Sequence, residues 1–362
     1  VTVSDGERWL RRVYRAVLAV AGVYYYISLP VVLVLVVGVC VVSGYIFLQM
    51  GKVPIYFAFM LVIGAIATIA ALIKSLTLRM TASAPGRLLE RTEAGALWQL
   101  TEEVGRTMKT RPIDEIRITD GTDLAVYERG TWRERMENRA QRILVLGTGL
   151  LEGFKQDDFR SVLAHEYGHF AHRDTAGGDI ALRVCHDMRM FHYAMVVAEQ
   201  DNGINIGFHF LRLYSFIYQR ISRGATRLQE ILADRVAAQT YGASAFEGGL
   251  RHVIRQSIAF DHWSEQEIKN AIKSGWPVRN RYGSDAPHDP RSDTDYIKAI
   301  EEPTTEDDTH PSPIDRFRMI AGSSAPSRAS SSHFVWELFS DRDAVAREMM
   351  AKIEQRIAKH RD

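Results

Sequence analysis

The chain has 362 residues, 46% hydrophobic and 25% charged, proportions near the globular average that exclude wholesale disorder, a collagen-like repeat and a disulfide scaffold. Lys plus Arg number 45 against 44 Asp plus Glu, a formal net charge of +1; no global field draws nucleic acid, and none is expected as a partner. The two cysteines, Cys40 and Cys185, read as small buried side chains and not as a bridge.

Composition sets the first 80 residues apart. No charged residue occurs from Ala16 to Met50, and after Lys52 the next is Lys74. A helix needs about 20 apolar residues to cross a bilayer core, so transmembrane helices are predicted at about 26–48 and 54–73. Tyr24, Tyr25, Tyr26 and Pro30 mark the approach to the first. Gly64, Ala65, Ala67, Ala70 and Ala71 give the second a small face for close helix contact. Residues 1–80 therefore read as a hairpin in membrane lipid. A signal peptide competes for the first stretch, because Arg8, Arg11, Arg12 and Arg15 precede it; the uncharged run is too long for one, and a second follows at once. Those arginines, with Lys74, Arg79, Arg87 and Arg91 beyond the hairpin and Lys52 in its loop, place both ends and the rest of the chain on the cytoplasmic side of an integral membrane protein.

A soluble domain is predicted over 81–321. Apolar residues at helical spacing, Leu88, Leu89, Leu97, Leu100, Val104 and Met108, predict a helix over 88–109. Short β-type runs follow at Ile116–Thr119, Leu124–Tyr127 and Ile143–Leu146, punctuated by Asp120-Gly121, and predict a small sheet. Leu124–Tyr127 could offer an edge to an extended peptide or be an ordinary sheet strand. Gln156, Asp157 and Asp158 then open a helix through Phe159, Val162, Leu163 and Ala164.

That helix carries His165-Glu166-Tyr167-Gly168-His169. Positions four apart share a helix face, so His165 and His169 can present two imidazole nitrogens to one metal ion. Glu166 stands beside that face, where its carboxylate can take a proton from metal-bound water and return it to a leaving amine. A catalytic zinc normally has three protein ligands and an open position. Glu230, on the helix-prone stretch 226–238, can be the third; Asp234, one turn on, can accept from the free ring nitrogen of a ligating histidine. Alone, a Glu and an Asp four apart would read as a solvated helix face.

Leu163-Ala-His-Glu-Tyr-Gly-His169 with Asp174 downstream, Arg227-Leu-Gln-Glu230-Ile-Leu-Ala-Asp234, and Thr309-His310-Pro311-Ser312 with Arg316 together resemble the motifs of a family. It is the membrane-associated zinc metallopeptidases that include HtpX-like proteases and CAAX prenyl protease 1, in the wider gluzincin group. The resemblance covers about 88–355. It implies an α-rich α+β, zincin-like domain with a small sheet, one Zn2+ per chain on His165, His169 and Glu230, and Asp174 and Asp234 supporting the ligands. His310 is then the expected donor to the oxyanion, and Arg316 an anchor for substrate backbone or for the site's carboxylates. HtpX-like proteins carry two further spans between the zinc motifs. Here that interval holds 188–198 and 204–218, broken by Arg189, His192, His209 and Arg212, and reads as helices packed in the domain or lying at the bilayer surface. The chain is also too poor in apolar runs to build the many-helix membrane chamber of the CAAX protease.

Residues 280–312, with Glu306, Asp307 and Asp308, read as an acidic loop that gates the site or as a solvated connector. Residues 322–362 read as a Ser/Ala-rich linker and an amphipathic helix over 341–359, with Val345, Met349, Ile353 and Ile357 on one side. The function expected is hydrolysis of peptide bonds in membrane-associated or misfolded proteins by a metal-activated water. The alternative is a catalytically silent, membrane-bound binding or chaperone-like protein on the same fold.

Overall fold

The computed structural model describes residues 5–49, 85–130, 133–134, 137–171, 206–274, 278–283, 289–305, 308, 310–323 and 332–359, with single residues or pairs between 55 and 70 and at Val184 and Met188. Two compact units divide the chain. One comprises Ser83–Asp174 and Gln229–Asp362, the other Thr2–Ala82 and Thr175–Leu228.

In the first unit the chain enters as β1 (Arg87–Leu88) and only then forms α1 (Gly95–Thr107), so the helix expected from residue 88 starts seven residues later. The reason is local. Arg87 is held in place by Glu93 and Glu348, Leu89 N donates to Ile116 O at 2.8 Å, and a turn at Glu90–Glu93 reverses the chain. β2 (Glu115–Thr119), β3 (Leu124–Arg129) and β4 (Gln141–Gly147) complete a mixed sheet of order β1-β2-β4-β3. β2 runs parallel to β4, whereas β3 is an antiparallel edge strand, with Val126 opposite Leu144. The period of two sorts the side chains. Ile116, Ile118, Leu144 and Leu146 enter the main core, while Ile143 and Val145 form a smaller cluster with Tyr127 on the opposite face.

Five helices join α1 around that sheet: α2 (Gln156–Ala171), the C-terminal part of α3 (Ile206–Tyr241), α4 (Ala243–Ser274), α5 (Pro290–Glu301) and α6 (Pro313–Ile320), with α7 (Arg342–Lys359) closing the chain as a sixth. α3 is continuous from 206 to 241, so the run expected over 204–218 and the Glu230 segment form one helix; the stretch 188–198 lies outside the described residues apart from Met188. Helix α5 occupies ground expected to be loop. Asp289 caps it, accepting from Arg291 N at 2.9 Å, Pro290 stands at its first turn, and Tyr296 and Ile300 pack on Phe317. Nor is the C-terminal helix a separate appendage. Val345, Met349, Ile353 and Ile357 are buried in the main core, each contributing roughly 1.5–3 kcal/mol.

In the second unit, Asp5–Gln49 form a single 45-residue helix that continues through Pro30. Tyr24 and Tyr25 do not mark a break there. Both stack on Tyr214 of α3, with ring centroids 5.7 and 5.5 Å apart, and the Tyr214 hydroxyl donates to Ala21 O. Among the described residues no helix is long and apolar enough to cross a membrane. The second expected span, 54–73, lies largely outside those residues, so the hairpin stands on the sequence alone.

Candidate metal centre

Helix α2 begins with Asp157 and Asp158 in its first turn, where negative charge suits the helix dipole. Its buried face, Phe159, Val162, Leu163 and Tyr167, is part of the main core, and this fixes the rotation that brings His165 and His169 onto the side facing α3. Gly168 lets the two helices approach: a Cβ there would lie 3.2 Å from Ala233 Cα. α3 carries Glu230 three residues before that contact and Asp234 immediately after it.

The result is a cluster of three ligand-type groups, His165, His169 and Glu230, whose donor atoms all lie within 4.8 Å of one another. His165 Nε2 is 3.4 Å from Glu230 Oε2, and His169 Nε2 is 3.5 Å from Glu230 Oε1. A tetrahedral zinc with arms of about 2.0–2.1 Å separates its ligand atoms by about 3.4 Å. The donor set and its spacing therefore fit zinc.

Partners behind the cluster orient it. His165 Nδ1 lies 2.8 Å from Asp234 Oδ1, a close contact bent away from the line of a good hydrogen bond. Asp234, 1% exposed, is gripped at both oxygens by Arg316, Nε to Oδ2 at 2.8 Å and Nη2 to Oδ1 at 2.6 Å. Phe246 packs against the His165 ring and beneath the Arg316 guanidinium; nothing in the sequence motifs singles it out. Arg316 is buried and lies against the carboxylates of Asp234 and, at 3.7 Å, Glu230, the contacts that the second of its two expected roles would need. His310 is 59% exposed at its side chain, with Nδ1 3.3 Å from Glu230 Oε2. Its loop is fastened by Asp315, which accepts from Thr304 Oγ1 at 2.7 Å and from Ser312 Oγ at 3.0 Å. Glu166 Oε2 accepts from the backbone N–H of Val126, on edge strand β3, at 3.2 Å, a partner the sequence did not indicate. Asp174 lies outside the described residues.

Electrostatics follow from burial and pairing. Burial disfavours a charged His165, but Asp234 and Glu230 outweigh it and push the ring up to about 9. Burial and the neighbouring His165 push His169 down to about 4. Against burial, which opposes ionisation, hydrogen bonds from His165 and His310 hold Glu230 far below the ordinary carboxylate range, and Arg316 with His165 lowers Asp234. Burial raises Glu166, with the charge of His165 and the Val126 N–H opposing it. Two carboxylates held in charged form thus stand beside one whose affinity for its proton is raised.

A His-Glu-x-x-His helix crossed by a second helix that supplies a carboxylate defines the class: a metallopeptidase domain. Residues 138–323, just over half of the chain, match peptidase family M48, and the chain belongs to that family. Protease HtpX of Stutzerimonas stutzeri (strain A1501) is 28% identical over 128 residues, 32% of this chain and 44% of that one. Protease HtpX of Pseudomonas putida (strain GB-1) is 27% identical over 169 residues, 43% of this chain and 55% of its own length. The chain thus spans about half the length of these relatives. The crystal structure of S. mikatae Ste24p is similar at 16% identity and a TM-score of 0.36, over 79% of this chain and 63% of that one.

Proposed function

We propose that the chain is a zinc-dependent endopeptidase acting on membrane-associated or misfolded proteins, with His165, His169 and Glu230 holding the metal. The observation that carries this reading is the meeting of those three donors, with Glu230 oxygens 3.4 and 3.5 Å from the two histidine nitrogens and Glu166 on the helix that holds both histidines. When bound, zinc supplies Lewis acidity to a water and to the scissile carbonyl. The chain's residues do the rest. Loading the site displaces the proton that His165 holds in the free cluster, so affinity falls in acid. Glu166, with Oε2 engaged by Val126, has Oε1 left to take the proton of the attacking water and to hand it to the departing amine. The exposed ring of His310 donates to the carbonyl oxygen as it gains charge. Arg316 keeps Asp234 ionised behind His165, fixing the histidine's orientation. An extended substrate pairs along the open edge of β3.

The membrane part of the proposal rests on the uncharged stretch Ala16–Met50 and on the basic residues flanking 16–73, which favour an anchored domain facing the cytoplasm.

Glu166→Gln tests the catalytic reading. It preserves size and all three ligands, so zinc content and fold persist while hydrolysis of an unfolded protein such as casein falls by roughly 10²- to 10⁴-fold. Unchanged hydrolysis would refute the assignment of the base. A zinc-loaded wild type without turnover would favour a binding protein on this fold.

A further inference from the structure

We infer that the backbone N–H of Val126 is a positioning group for Glu166, so that this one amide of the β3 edge serves the base and not the bound peptide. The inference rests on the peptidase reading above.

The register of β3 is decisive. Gly147 N donates to Asp123 O at 2.6 Å, and Ala125, Tyr127 and Arg129 stand opposite Val145, Ile143 and Gln141. In an antiparallel ladder, residues alternate between bonding across the pair and facing away. Asp123 faces β4, so Ala125, Tyr127 and Arg129 do too, and the backbone groups of Leu124, Val126 and Glu128 face the open edge. At that edge Glu166 Oε2 accepts from Val126 N at 3.2 Å. A peptide added to β3 would ordinarily seek the N–H groups of all three outward residues. The middle one is already taken.

The bond ties one carboxylate oxygen of Glu166 to a strand that is hydrogen-bonded along its other side, restricting a side chain that would otherwise explore several rotamers. It leaves the second oxygen to work as the base. Substrate pairing is correspondingly expected to rely on Leu124 and Glu128, with Val126 contributing its carbonyl.

The register also supplies a clean test. Proline removes the N–H, and at an outward-facing edge position it removes no ladder bond. Val126→Pro in the full chain therefore deletes the Glu166 contact, while Leu124→Pro, on the same edge and without that contact, is the control. With zinc-loaded protein and casein as the probe, Val126→Pro should lower kcat about tenfold, the scale of one hydrogen bond, with KM near the wild-type value and zinc content retained, while Leu124→Pro, which removes an amide left to the substrate, should raise KM. In a Glu166→Gln background, Val126→Pro should leave casein affinity unchanged. Unaltered kcat, or casein affinity lost in that background, overturns the inference and returns the amide to substrate pairing. A readout independent of turnover covers misfolding of the proline variant and an inactive wild type. Hydrogen exchange at the Val126 amide should quicken in Glu166→Ala, and an amide whose protection does not change overturns the inference even if the enzyme reading holds. Zinc-loaded wild type that fails to cleave while that amide responds to Glu166→Ala would instead count against the peptidase reading.

Discussion

Asp234 is buried and Asp158 half-buried, one on each of the two helices that carry the candidate metal cluster, and their surroundings treat them in opposite ways. Asp234 has Arg316 along both oxygens, and removing either partner would leave a buried charge uncompensated, at a cost of about 3–5 kcal/mol. Asp158, in the first turn of α2, lies against Gly248 of α4, so close that a Cβ there would sit 2.9 Å from its Oδ2. Burial outweighs the nearby Lys155 charge and pushes this carboxyl up to about 6. The folded state thus holds the proton more tightly than the unfolded chain, in which an Asp titrates near pH 3.9. Ionisation therefore weakens the fold: stability from this group is present below about pH 4 and is lost as pH rises through 6. Asp158→Asn should raise the thermal midpoint at pH 8, by about 1 kcal/mol of stability, and make little difference at pH 4. Equal midpoints at pH 8 would show that the carboxylate is better solvated than its position beside Gly248 implies.

At the scale of elements, the site depends on how closely α2 and α3 pass. Gly168 sets that distance through Ala233, whose Cα and Cβ would lie 3.2 and 3.3 Å from an added Cβ. Gly168→Ala should therefore push Glu230 outward, weaken zinc retention against a chelator about tenfold or more, and cost about 1–3 kcal/mol of stability. Ala233→Gly in the same chain should recover only part of the zinc retention, because it removes the 3.3 Å contact with Cβ and leaves the 3.2 Å contact with the backbone Cα; retention untouched by Gly168→Ala would deny the packing argument. The two helices of the candidate metal cluster were legible from sequence because a metal site would call for fixed residue types there at spacings of three and four. So were β2, β3 and β4, where short β-branched and aliphatic runs meet turn residues. Other elements were obscured for physical reasons. Leu88 and Leu89 fit the helical period of α1, but long-range pairs from Arg87 to Glu348 and from Leu89 to Ile116 hold Leu88 in a strand and Leu89 just beyond it. For α5 the capping pair Asp289-Pro290 was a readable signal, masked by the acidic, proline-rich composition around it. The Val126–Glu166 bond joins positions 40 residues apart through a backbone group, which no residue type encodes.

For the whole molecule, the division into two units places Thr175–Leu228 with the N-terminal residues and the C-terminal helix with the metal site. The sequence suggested cuts near 81 and 322; burial of Val345, Met349, Ile353 and Ile357 in the main core explains why the second does not separate a unit. If the uncharged N-terminal stretch anchors the chain as its flanking charges propose, protease added outside intact cells should spare residues 81–362, and ready digestion there would reverse the orientation. The account as a whole turns on the metal. Its most direct test is the zinc content of purified wild type and of His165→Ala, His169→Ala and Glu230→Ala after dialysis against a mild chelator. One zinc per chain in wild type, lost in each of the three variants, is the predicted result; stoichiometric zinc retained in all three would contradict it.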